Sequence, residues 1–92
     1  MSLSFPNTSR SYDSDRHRIR FWGHDNAMEV SFFLEENAIF ALYPETRPME
    51  AAILEAFDAA RDKIIAVASR TYRPREHRSF YTLTADQFSG AR

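Results

Sequence analysis

The chain has no cysteine, two glycines, one lysine and no long apolar run. Without cysteine, disulfides and thiolate metal sites are excluded, which fits a reducing cytoplasm. Two glycines leave little material for a glycine-rich phosphate cradle. The longest apolar runs, Ala38 to Tyr43 and Ile64 to Ala68, are too short to span a bilayer. Met1 to Asp13 is polar with no basic start, so it does not read as a signal peptide. Ser4, Ser9, Ser11, Ser69 and Ser79 sit in no nucleophile motif, and His17, His24 and His77 lack helical ligand spacing.

What is present is aromatic and arginine-rich. Eight Phe, four Tyr and one Trp make up 14% of 92 residues, enough to fill a small core with few side chains. A chain this short reads as a single domain over residues 1–92, burying roughly 60–65% of its unfolded surface. Eleven of the twelve bases are Arg, which suits bidentate carboxylate or phosphate recognition but also follows from GC-rich codon usage. The net charge of −1 is unevenly spread: +2 over Met1 to His24, −6 over Asp25 to Lys63 and +3 over Ile64 to Arg92.

Hydropathy periods set the expected elements. Phe5-Pro6-Asn7-Thr8 reads as a lead-in. Arg16 to Trp22 alternates, with Ile19 and Phe21 on one face and Arg18, Arg20 and Trp22 on the other. Gly23 to Asn26 supplies turn residues, and Met28 to Leu34 alternates again, with Met28, Val30, Phe32 and Leu34 inward. The pair predicts a β-hairpin. Glu35 to Leu42 predicts a short helix ended by Pro44, with Ala38, Ile39 and Leu42 on its face. Met49 to Arg70 carries the longest pattern: Ile53, Phe57, Ala60, Ile64 and Ala68 recur at steps of three and four, over about six helical turns. Thr46 or Arg47 is its expected cap, with Pro48 in the first turn. Tyr72 to His77 reads as a basic loop and Arg78 to Leu83 as a third strand pairing with the hairpin. Thr84 to Gln87 has capping-box spacing, predicting a last helical turn that docks Phe88. The expected fold is a small α+β domain of order β-β-α-α-β, with Phe21, Val30, Phe32, Ile53, Phe57 and Ile64 in one core.

Short motifs along the chain point further. Phe5-Pro6-Asn7, Tyr12-Asp13 and Arg16 lead into Ile19-Arg20-Phe21-Trp22-Gly23. Ala56-Phe57-Asp58 with Arg61 and Ile64, then Tyr81-Thr82-Leu83 before Asp86 and Phe88, continue the series. In order and spacing the chain resembles the bacterial domain of unknown function family 1488 over nearly its whole length. The resemblance implies a small cytoplasmic bacterial α+β protein. It implies no activity and carries over no site residue.

The candidate binding surface is Arg18, Arg20, Trp22 and Phe33 on the outer hairpin face, with Arg73 and Arg75 from the basic loop. One reading is phosphate and base recognition by a sheet, as in RNA-binding proteins. The plainer reading pairs Arg18 and Arg20 across the hairpin with Glu29 and Glu35, and Trp22 with Phe33. Arg70, Arg73, Arg75, His77 and Arg78 form a second basic cluster that complements a helix C-terminus. Asp13, Asp15 and His17 fall on one side of an extended chain, a metal-like trio without a fourth ligand. Asp58 has Arg61 within one turn as its expected surface partner. No cofactor and no catalytic residue is implied. The expected function is a non-enzymatic interaction or structural module, bound to a protein partner or to itself. The alternative is an RNA- or DNA-binding accessory protein.

Overall fold

Two alternating strands build the centre of the sheet. In the computed structural model, which describes residues 3–76 and 78–89, β3 (Arg18–Asp25) and β4 (Met28–Glu35) pair antiparallel. A two-residue turn joins them, and Asn26 takes a left-handed φ of 59° there. Ile19, Phe21, Val30, Phe32 and Leu34 are buried on one face, as the period of two requires. Met28 lies on the same side by parity yet is 56% exposed, at the first position of its strand beside the turn.

Gly23 is not part of the turn. It pairs with Val30 inside the hairpin, with no positive φ, and it is buried. A Cβ there would meet the Phe5 ring at 2.9 Å and Leu3 at 3.1 Å, so glycine permits close approach rather than a turn. The Phe5 lead-in is therefore part of the core rim. Its ring lies 6.0 Å from Phe21 and 5.6 Å from Phe32. Two short strands accompany it, β1 (Leu3–Ser4) and β2 (Arg10–Asp13), both antiparallel to β3. They turn the expected three strands into five.

After β4 the chain enters α1 (Glu36–Leu42), whose Ala38 and Ile39 are buried. The segment 43–49 carries no helix or strand, and Thr46 folds back on it, donating through Oγ1 to the Tyr43 carbonyl at 2.8 Å. The next helix starts without a side-chain cap; Met49 holds the cap position, not Thr46 or Arg47. The expected long helix is divided into α2 (Glu50–Ala59) and α3 (Arg61–Thr71). Ala60, at φ −98° and ψ 10°, is the dividing residue. Backbone bonding continues across it: its N–H reaches the Ala56 carbonyl at 3.0 Å, and Ile64 N–H reaches the Ala60 carbonyl at 3.0 Å. The apolar stripe survives the break, with Ile53, Phe57, Ala60, Ile64 and Ala68 all buried.

A 3₁₀ turn (Pro74–Glu76) precedes β5 (Phe80–Leu83), which pairs with β4 in parallel. The parallel direction follows from the helical crossover between these strands. The strand order is β1-β3-β4-β5, with β2 also on β3. In α4 (Asp86–Ser89), Gln87 Oε1 accepts from Thr84 N–H at 2.8 Å, and Phe88 is buried, as the capping-box spacing predicts. Helices and inward sheet residues share one core, in which Phe21 meets Phe57 edge-on at 5.2 Å and Phe32 stacks on Tyr81 at 5.6 Å. The result is an α+β fold in which strands precede helices and a last strand follows them.

Candidate functional site

Because the buried inward residues of the sheet pack under the helices, the alternate residues face the other way. Asp13, Arg18, Arg20, Trp22, His24, Ser31, Phe33 and Glu35 are half-buried, and Glu29, Phe80 and Thr82 are exposed. None is sealed, so among the described residues no element covers this outer face.

The register sets Arg18 opposite Glu35, Arg20 opposite Phe33, Trp22 opposite Ser31 and His24 opposite Glu29. Arg18 and Arg20, however, use neither Glu29 nor Glu35. The Arg18 guanidinium lies over the Phe33 ring, 3.7 Å from its centre, and Arg20 lies over Trp22 at 4.8 Å. Such stacking contributes about 0.5–1 kcal/mol at exposed sites. Arg18 Nε sits 3.4 Å from Asp13 Oδ2, near enough for charge attraction but too long for a good hydrogen bond. An Nη group of Arg20 donates to Ser31 Oγ at 3.2 Å. The Nε atoms of both arginines are shielded from solvent without a hydrogen-bond partner, so outward donation falls to the Nη groups. Trp22 does not pair with Phe33, whose edge partner is Phe80 at 5.6 Å. Phe80, 52% exposed, thus extends the aromatic patch onto β5.

Arg73 does not stack on or pair with the patch of Arg18, Arg20, Trp22 and Phe33, but it shares a cleft of about 260 Å³ with Met28 and Glu29. Arg73 donates to the carbonyls of Arg70 at 2.6 Å and Tyr72 at 3.1 Å, complementing the end of α3. Arg75 is exposed in the 3₁₀ turn, and His77 lies outside the described residues. Arg70, Arg73, Glu76 and Arg78 border an open cleft of about 440 Å³, where Arg78 pairs with Glu76 at 2.8 Å. The basic loop is therefore partly neutralised by its own members.

The trio Asp13, Asp15 and His17 does not converge. Asp13 Oδ1 accepts from the backbone N–H groups of Asp15 at 3.1 Å and Arg16 at 3.3 Å, closing the turn before β3. Among the described residues no group of three or more His, Asp or Glu side chains could hold a metal ion. His17, at a left-handed φ of 54°, instead approaches Glu36, with Nδ1 3.7 Å from Oε1. Glu36 also accepts a close hydrogen bond from the Tyr12 hydroxyl, which is pushed up to about 12 chiefly by that bond and then by burial. A cleft of about 370 Å³ beside them is lined by Arg16, His17, Glu35, Glu36 and Asn37. Its lining has no Ser, Thr, Cys or Lys, and Tyr12 so held cannot act as a base near neutrality.

Asp58 is another departure. Its partner is Arg10 of β2, through two bonds of 2.9 and 2.8 Å, and that contact raises the Arg10 pKa. Arg61 reaches the Asn7 carbonyl at 2.7 Å. These two ties pin the strand β2 and its approach to the α2–α3 turn.

The fold and its outer face define a two-layer α+β protein with one open, arginine-aromatic sheet surface. The chain belongs to the family described as Protein of unknown function (DUF1488), whose family model matches residues 3–84. No curated protein and no solved structure matches the chain. No helix among the described residues is long and apolar enough to cross a membrane.

Proposed function

We propose that this protein is a non-enzymatic interaction module whose working surface is the outer sheet face, and that its partner is a protein. The carrying observation is that Arg18 and Arg20 already cover Phe33 and Trp22. With these two rings already occupied, Phe80 is the main ring left open to a base, which disfavours single-stranded nucleic acid as the partner of this patch. Asp13, Glu29 and Glu35 on the same face further offset the two arginines against phosphate. Protein interfaces, by contrast, are enriched in Trp, Phe and Arg, and ordering those side chains beforehand lowers the cost of binding. Arg18, with its side chain only 22% exposed, is ordered in this sense.

Immobilised wild type and a Trp22→Ser, Arg20→Ala variant, each exposed to host lysate, test the reading. A protein captured by wild type and lost by the variant supports it; identical capture by both overturns it. Fluorescence anisotropy with random single-stranded oligonucleotides supplies the other arm, with only weak, salt-sensitive binding expected. Tight binding abolished by an Arg18→Ala, Arg20→Ala double variant overturns the protein reading in favour of nucleic acid.

A further inference from the structure

We infer that the occupant of the outer face is a second copy of this chain, packed face to face about a two-fold axis that runs along the strands between β3 and β4. This inference deepens the protein-interaction reading and rests on it.

The charge pattern carries it. On the outer face β3 presents Arg18 and Arg20, and β4 presents Glu29 and Glu35. Neither Glu29 nor Glu35 has an ion partner among the described residues, and Arg18 and Arg20 are stacked rather than paired with them. A two-fold axis along the strands carries β3 of one copy over β4 of the other at the same height. Each cross-strand pair of the monomer then becomes a pair across the interface, formed twice. Arg18 of one copy faces Glu35 of the other, and His24 faces Glu29. Arg20 faces Phe33, whose ring its own Arg18 already covers, and Trp22 faces Ser31, large against small. No other axis is needed to balance the face: one positive strand beside one negative strand is its own complement.

The geometry permits the contact and the area sets its strength. The axis leaves the strands of the two copies nearly parallel, within the roughly 30° limit of aligned sheet packing, with layers about 10 Å apart, a gap that Arg and Glu side chains span. Strands β2 to β5 hold 24 residues, a flat footprint of about 380 Å² per copy at about 4.8 Å per strand and 3.3 Å per residue. Both copies together reach about 760 Å², below the roughly 1,000 Å² of a stable specific interface, which makes this a transient contact. The dimer should therefore be weak, with a Kd of about ten micromolar or more.

Sedimentation equilibrium from about one-tenth to about one hundred times that Kd tests the inference. Wild type should pass from monomer to dimer with concentration. Arg18→Glu alone and Glu35→Arg alone should each stay monomeric, since each sets like charges opposite one another. An equimolar mixture of the two should form a one-to-one dimer, because each copy then supplies what the other lacks. The Arg18→Glu, Glu35→Arg double variant should dimerise again. Circular dichroism establishes that each variant is folded, and the mixture supplies a result that misfolding cannot mimic. A wild type monomeric throughout, or a dimer indifferent to the single swaps, overturns the self-pairing. In that case the lysate capture above still decides separately whether the face binds another protein. A monomer that binds oligonucleotide through this face overturns both.

Discussion

The two faces of one sheet use similar residue types to opposite ends. On the inner face aromatic rings meet rings, as in Phe21 on Phe57 and Phe32 on Tyr81, and these side chains are withdrawn from water. On the outer face the rings of Phe33 and Trp22 meet guanidinium groups, and no residue is fully withdrawn. Burial of hydrocarbon stabilises the first in proportion to area. The second gains only small electrostatic increments in the monomer, because its polar groups stay within reach of water. The inner face should therefore govern stability and the outer face association.

Substitutions separate the two. Phe57→Ala on the inner side should cost about 3–5 kcal/mol in denaturant melts, since it empties a fully buried ring site between α2 and the sheet. A cost below about 1 kcal/mol would remove the contrast. Gly23→Ala should cost about 1–3 kcal/mol, because the added methyl forces the Phe5 ring off the strand. Loss of the Phe5 contacts to Phe21 in NMR spectra would locate the damage. The Arg18→Ala, Arg20→Ala double variant removes only the two stacks and should cost no more than about 1–2 kcal/mol. A larger loss would make the outer face a structural element rather than a surface.

The smallest expected effect lies at the sheet margins. Tyr12 donates to Glu36, and Tyr72 donates to Asp25 at 2.6 Å. Both hydroxyls are pushed from 10.0 up to about 12, first by those hydrogen bonds and then by burial. The unfolded chain releases these protons near 10, the folded chain later. Their contribution is thus fully present below pH 10 and is lost as pH rises from about 10 to 12. Alkaline melts should show this decline, and Tyr72→Phe should flatten part of it. A curve unchanged by Tyr72→Phe would remove the assigned role of that hydroxyl.

Local pattern made much of this legible. The period of two in β3 and β4, the stripe of α2 and α3 and the Thr84–Gln87 box all appear where their spacing places them. The outer patch of Arg18, Arg20, Trp22 and Phe33 was legible for the same reason, since parity alone puts them on one side. Their partners were not. Asp58 could be read only against Arg61 nearby, whereas its partner Arg10 lies 48 residues away. Phe80 could not be added to the patch until the parallel register with Ser31 was known. The strands β1 and β2 escaped notice because they are short and sit among turn residues, and only the edge of β3 makes strands of them.

By itself the sequence determined which side chains share a face, because side-chain direction repeats locally along a helix or strand. Tertiary structure decided who meets whom across that face. Arg18 chose the Phe33 ring and Asp13 over Glu35, and Gly23 served Phe5 rather than a turn. The reason is physical: local periodicity fixes directions, while contacts depend on how distant segments are brought together, and many partners of similar energy compete for each group.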